Sequence, residues 1–582
     1  MTLPSCVTTP PTIRGRRFDP VAAVLFAVGV LSLLWVSGLD FRNQDANWDL
    51  LNYHAYVPAS LLNGTWFSDV HPAYIQSYQN PYQDLLMWPL VSGVPAPIAT
   101  AVILALQLSI FIPLGLILRA TVPSLSRPRA LAIGLIGVSG AMMMTELGVT
   151  QGDVPPAILV AWALYLILSV LADQAGQPGR RAVLAGVLVG AAVALKYTVF
   201  YIAPGLLVVA AFLMVAGMRR SALLFLLSSF VATLILCAPW ALVLQANVGS
   251  PVFPFFNAIF HAPRYPAIDF HDDRFGVNSI VGLIELPIRQ GLYSLSTSEI
   301  PNRDVRWVIG ILVAGLAVVI TALRSCRPGT RDRWRAHLPG LALLMFWVVS
   351  YVAWAWEFGI QRYAIPLEGL ALPVIVTGAA LLVPRLLASR SSLVLLILLA
   401  AVLARTTTIV DFGRRPMGWA PIVPTETIEP LTRYDAIVVE GGPLAFLRAV
   451  TRDAPGASSQ VWLDPPLTDA DRAVEEKALA GRSVGILFYV GRDSEAAAVA
   501  AGLGFRVTGE CETFDNPLAN SDLSTPIEIC STSRLTTTRL RPIGVSGDSP
   551  TPTAVLGLGQ ARVGNLDDAY ADTRWTRRLY RS

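Results

Sequence analysis

The sequence predicts an α-helical polytopic membrane protein of about eleven transmembrane helices, followed by a small extracytoplasmic α/β domain. Three observations lead there. The 582 residues are 54% hydrophobic and only 14% charged, whereas soluble domains run near a quarter charged. Apolar runs long enough to cross a bilayer recur through residues 20–410. Arginines gather in alternate connections between those runs, the bias that orients membrane helices.

The apolar runs fall at 20–39, 97–118, 130–147, 154–172, 182–197, 199–217, 221–244, 306–323, 339–356, 364–384 and 391–410. The first is too long for a signal peptide and lacks a small-residue cleavage site, so it is expected to stay as an anchor. Basic residues precede it in segment 1–19 (Arg14, Arg16, Arg17) and return at Arg127 and Arg129, Arg180 and Arg181, Arg219 and Arg220, from Arg324 to Arg335, and at Arg385 and Arg390. These connections are expected in the cytoplasm. The loop 40–96, the turn 145–153, the loop 245–305 and everything after 411 are then expected outside the cytoplasmic (inner) membrane. No basic run with interleaved aromatics outside these loops points to nucleic acid.

Beyond 411 the hydropathy drops. YDAIVVEG, SQVWLD, RSVGILFYV and FRVTGECE read as strands, with DADRAVEEKALA and DSEAAAVAAGL as helices between them. An α/β domain over 411–535 is expected, then a loosely ordered tail, 536–582, rich in Thr, Ser, Pro and Gly. Cys511 and Cys530 alone among the five cysteines fall on the outside and are expected to pair there. EGGP lacks the spacing of a phosphate loop and reads as a tight turn.

The outward segments hold the chemistry. Residues 40–84 read DFRNQDANWDLLNYHAYVPASLLNGTWFSDVHPAYIQSYQNPYQD, with Asp45, Asp49 and His54 set among Trp48, Tyr53 and Tyr56. TELGVTQGDVPP places Glu146 and Asp153 at the outer surface, and WAWEFGIQRYAIPLEGL places Glu357, Arg362, Tyr363 and Glu368 around the mouth of a helix pair. Lys196 lies between two apolar runs. Charges beside hydrocarbon are costly unless paired or wet, which makes them functional candidates. Plainer readings stand beside this: Asp40 and Asp84 as membrane-edge markers, Lys196 snorkelling to the interface, and Trp354 and Trp356 in an aromatic belt. The histidine spacing is too irregular for a dedicated zinc site.

DANWDLLNYHAYVPASLLNGTW, QGDVPPA, GSPVFPFFNAIF and QRYAIPLEG together resemble segments of a bacterial branch of the GT-C superfamily of polytopic glycosyltransferases. That superfamily includes protein O-mannosyltransferases, lipid A aminoarabinose transferases and oligosaccharyltransferases. The resemblance covers roughly 20–410. It implies a catalytic acid in the first outward loop, best matched by Asp49 with Asp45 as the alternative, and a second acidic position at Asp153. Nucleotide sugars are made in the cytoplasm, so an outward site implies a polyprenyl-phosphate-linked donor. The acceptor would be a cell-envelope glycan, lipid or protein, taking a hexosyl or pentosyl group. Asp49 would serve as base, Arg362 and Lys196 would bind the donor phosphate, and Asp153 would orient the acceptor or hold a divalent cation. Trp48, Tyr53, His54, Tyr56, Glu357 and Tyr363 would line the sugar site. A polymerase or ligase using lipid-linked donors shares these features. A transporter or lipid flippase would instead place charges near span centres and show internal repeats, and the sequence shows neither.

Overall fold

A computed structural model describes residues 19–535 apart from 38–41, 174–175, 270–271, 273, 293–294, 296, 326–330, 386–390, 452–456, 461–467 and 520–524. Asp40, His271 and the tail 536–582 lie outside the described residues.

Among the described residues, eight helices are long and apolar enough to cross a membrane: Ala96–Thr121, Val154–Leu171, Pro178–Leu195, Tyr197–Val215, Arg219–Val248, Arg306–Arg324, Arg335–Glu357 and Gln361–Leu382. Shorter apolar helices, Pro20–Val36 and Ser392–Thr406, occupy the first and last expected spans. The expected span 130–147 is not one helix. It breaks into Arg127–Gly137 and Ala141–Thr145, so this expected span is interrupted.

The break has a cause in three buried charges. Asp304 Oδ2 accepts the Ala141 N–H at 3.1 Å, and the Glu368 carboxylate accepts those of Met142 and Met143 at 3.2 and 2.7 Å. Arg306 donates to the carbonyls of Gly137 and Ser139 and pairs with Asp304 at 2.6 Å. The N–H and C=O groups freed by the break are thus met by side chains, as buried backbone requires. Gly140 is obligatory here, because a Cβ would lie 2.5 Å from the Glu368 carboxylate. Glu368 is a charge inside a membrane helix, and the sequence reading of uncharged spans missed its function as a cap.

Pro178–Leu195 packs closely on Arg219–Val248. Gly186 and Gly190, four residues apart, let the two backbones approach to where a Cβ would be 2.6 Å from main-chain atoms. Leu223, Leu227, Phe230 and Leu234 on the opposite side of Arg219–Val248 are exposed, as a lipid-facing side would be.

The two ends of the bundle are distinct. At one, Asp19 pairs with Arg129 at 3.0 Å, and Arg324 donates to the carbonyls of Leu381 and Leu382. At the other, β1 (Asn43–Asp45) pairs antiparallel with β2 (Arg414–Pro416). Loop 245–305 joins that end through helix Ile280–Gly291, whose Gln290 accepts from the Tyr351 hydroxyl at 2.7 Å.

After β2 come β3 (Ala436–Val439), β4 (Ala457–Gln460), β5 (Val484–Tyr489), β6 (Phe505–Phe514) and β7 (Ile527–Arg534) in one sheet of order β4-β3-β5-β7-β6. β3 runs parallel to β4 and β5, and β7 runs antiparallel to β5 and β6. Helices Asp469–Leu479 and Asp493–Gly502 complete the domain. Cys511 and Cys530 are direct partners across β6 and β7 and are joined in a disulfide. The domain shares a core with the first loop: Leu50, Leu51, Val91 and Ala96 pack with Ile437, Val439, Phe446 and Leu487. A polar junction reinforces it, with Asp69 paired to Arg448 at 3.0 Å and Asp471 to His71 at 2.5 Å and Arg264 at 2.9 Å.

Candidate active site

The first loop enters the site through an unusual turn. Asn47 Oδ1 accepts the Leu50 N–H at 2.9 Å, and Leu50–His54 then form a π-helix, closed by the Ala55 N–H on the Leu50 carbonyl. Such single wide turns are frequent at functional sites. Asp49 precedes the turn and His54 ends it, which sets the two side chains one wide turn apart.

Asp49 forms an ion pair with Arg362. Arg362 sits in the turn Gln361–Ala364, whose register is held by Thr297: its carbonyl accepts the Gln361 N–H at 2.8 Å and its hydroxyl donates to Gln361 Oε1 at 2.9 Å. The guanidinium lies 5.3 Å from the Tyr363 ring centre, and the Lys196 ammonium lies 5.4 Å from the same centre. Lys196 ends helix Pro178–Leu195, where it pairs with Asp153 at 2.6 Å and donates to the Gln151 carbonyl at 3.3 Å. Glu146 accepts the Asp153 N–H at 3.0 Å. Four separate elements therefore deliver Asp49, Arg362 with Tyr363, Lys196 and Asp153 to one place.

The cluster is largely withdrawn from water: Asp49 is 7% and Asp153 2% exposed. Burial alone would raise the Asp49 carboxyl, but the charges of Arg362, His54 and Lys196 outweigh it and hold Asp49 below the usual carboxylate range. His54 shows the reverse balance. Burial disfavours its charged form, yet Asp84, whose Oδ1 lies 2.6 Å from Nδ1, raises the imidazole above its ordinary value. Glu146 Oε1, Gln151 Oε1 and Asp153 Oδ2 are buried oxygens with no hydrogen-bond partner among the described residues. Such acceptor oxygens suit the hydroxyls of a sugar or a hard cation.

Asp45 is placed differently. Its Oδ2 accepts from the Thr150 N–H and hydroxyl at 2.7 and 2.6 Å, and its Oδ1 from the Asn47 N–H and side-chain amide at 3.1 and 2.7 Å. It ties the first loop to the second outward turn. Tyr53 is buried against His54, with ring centres 4.1 Å apart, and Trp48 is half-buried next to Asp49 in sequence. Tyr56 turns away from the cluster and donates to Asp69 at 3.3 Å. Glu357 is exposed at the end of its helix. Asp84 and Gln151 belong to the cluster although sequence reasoning did not select them. Asp84 lies thirty residues from His54 with no spacing signal to join them, and Gln151 contributes its main-chain carbonyl to Lys196 and a side-chain oxygen that nothing in its sequence neighbourhood marks.

Residues 80–351, a little under half of the chain, match the model of glycosyltransferase family 87. No curated protein matches the sequence. Among solved structures, ArnT from Cupriavidus metallidurans bound to undecaprenyl phosphate aligns with a TM-score of 0.48 and 15% identity, over 87% of this chain and 97% of that one. The same protein in the apo state aligns with a TM-score of 0.37 and 14% identity over the same shares. Over residues 80–351, which hold Asp84, Glu146, Asp153 and Lys196, the chain is therefore similar to glycosyltransferase family 87.

Proposed function

We propose that the protein transfers a hexosyl or pentosyl group from a polyprenyl-phosphate donor to a cell-envelope acceptor at the extracytoplasmic face of the cytoplasmic membrane. The observation that carries this reading is the pair of partly buried cations, Arg362 and Lys196, flanking one tyrosine ring beside a buried carboxylate. Two cations converging in a poorly hydrated site fit a phosphate that gains negative charge as its bond to the sugar breaks. Arg362 offers a planar fork for two phosphate oxygens, and Lys196 a point charge.

In this mechanism the phosphate takes over part of the Arg362 pairing that Asp49 holds in its absence. Asp49 remains a carboxylate and receives the acceptor hydroxyl proton as that oxygen attacks the anomeric carbon. The bond from that carbon to the phosphate oxygen breaks, and its electron pair leaves with the polyprenyl phosphate. Asp45, with its acceptor positions occupied, positions the loop and leaves the base function to Asp49.

The test is turnover of undecaprenyl-phosphate-linked sugars by purified full-length protein in nanodiscs. Asp49→Asn should lower turnover about 10²–10⁴-fold while keeping affinity for undecaprenyl phosphate, and Arg362→Ala should lose both. An Asp49→Asn protein as active as wild type would overturn the assignment.

A further inference from the structure

Asp49 is a base already committed to a cation, and a carboxylate so held keeps a proton poorly. The structure provides a better acceptor one turn away. His54 is 8% exposed, its Nδ1 is fixed at 2.6 Å from Asp84 Oδ1, and its Nε2 is buried with no hydrogen-bond partner among the described residues. A histidine serving only to fill the core would bond both ring nitrogens, as His71 does with Tyr78 at 2.6 Å and Asp471 at 2.5 Å. His54 is satisfied on one side alone.

The Asp84 contact has a definite consequence. A carboxylate on Nδ1 keeps the proton there, so the neutral ring presents Nε2 as a lone pair. The charged groups around the ring are Asp84 from helix Tyr82–Gly93, Asp49 from its own turn, and Lys196. Tyr53 covers one ring face. Two carboxylates against one ammonium leave the surroundings of an imidazolium favourable.

We propose that His54, oriented by Asp84, is the group that takes the acceptor proton onward from Asp49. This rests on the reading of Asp49 as base and adds a second carrier to it. The proton passes from the acceptor hydroxyl to Asp49 as the new bond to the anomeric carbon forms, then from Asp49 to His54 Nε2. The imidazolium is balanced by Asp84, Asp49 regains its charge, and the proton leaves to water before the next turnover. Nothing is oxidised or reduced, and the leaving polyprenyl phosphate keeps the electron pair of the broken bond.

The experiment uses full-length protein in nanodiscs with the undecaprenyl-phosphate sugar that wild type turns over, scored as released undecaprenyl phosphate across pH 5–9. His54→Gln should lower kcat roughly 10²-fold with KM for donor unchanged, and should abolish the acid limb of the pH profile. Asp84→Asn keeps the imidazole in place, so it should move that acid limb to lower pH. A merely structural role would move thermal stability and leave the limb where it is. Wild-type kcat in His54→Gln, or a loss confined to KM, overturns the proposal. An inactive Asp49→Asn beside an unaffected His54→Gln removes this inference alone, whereas a fully active Asp49→Asn removes the reading beneath it.

Discussion

Lys196 places its ammonium 2.6 Å from Asp153 Oδ1, joining the end of helix Pro178–Leu195 to the outward turn that leads into helix Val154–Leu171. Neither group has easy access to water, with side chains 15% and 2% exposed. Removing one partner of a buried pair strands the other, at a cost of about 3–5 kcal/mol, whereas removing both can be nearly neutral. Lys196→Met should therefore lower the melting temperature in detergent clearly, and Lys196→Met with Asp153→Leu should recover most of it. Additive losses in that double-mutant cycle would show that the two residues do not act as a pair.

The charged bridge across the broken helix leads to a second expectation. Arg306→Met removes the donor to the Gly137 and Ser139 carbonyls and leaves Asp304 without its cation. A loss of about 3–5 kcal/mol is expected. Gly140→Ala should be harmful too, since the new methyl meets the Glu368 carboxylate and not a yielding side chain. Thermal unfolding of each variant checks this, and a stable Gly140→Ala would mean the half-helix moves freely.

Acid should loosen the junction between the membrane domain and the sheet. Burial holds the His71 imidazole below its ordinary value, so it favours the neutral ring. Burial would raise the Asp471 carboxyl, but His71 and Arg264 overcome that and lower it. Both folded values are depressed, so the stability they contribute is present above the unfolded values and lost as pH falls. The His71 share should begin to go near pH 6.5 and the Asp471 share near pH 4. Melting temperatures measured from pH 7.5 to 4 should decline in wild type, and His71→Gln should flatten the upper part of that decline. An unchanged slope in His71→Gln would refute the assignment.

The disulfide gives a fourth. Cys511 and Cys530 close a loop with a sequence separation of 19, for which a constraint on the unfolded chain of roughly 3 kcal/mol is expected. Alkylation of unreduced, denatured protein should leave both unlabelled, and Cys511→Ser should weaken the sheet domain. A reporter fused after residue 415 should be active only in its extracytoplasmic form. Cytoplasmic activity there would reverse the orientation.

Much of this was legible from hydropathy, because a bilayer demands long apolar helices and the sequence marks them openly. Arg362, Lys196, Asp153 and Asp49 stood out for a related reason: a charge at the edge of hydrocarbon needs a partner. The sequence could not say which partner, and pairing Asp49 with Arg362 depends on packing between distant helices. Tyr56 and Glu357 looked alike to their neighbours in sequence, yet one faces Asp69 and the other solvent. The break at 138–140 falls in GVSG, where two glycines and one serine are too mild an interruption to end so long an apolar run. Its signature lies in Asp304, Arg306 and Glu368, which are remote in sequence from the helix they interrupt.

The pairing of β1 with β2 bears on how the protein is made. The strand that leads into Asp49 finds its partner at Arg414–Pro416, and that partner leaves the ribosome only after every membrane helix has been synthesised. Until then the first loop waits at the membrane surface with its edge open and Gln44 and Asp45 opposite nothing. Pairing of β1 with β2 is therefore a late event in biosynthesis. A nascent chain interrupted before residue 414 carries all the charged residues of the cluster and lacks the strand that pairs with β1.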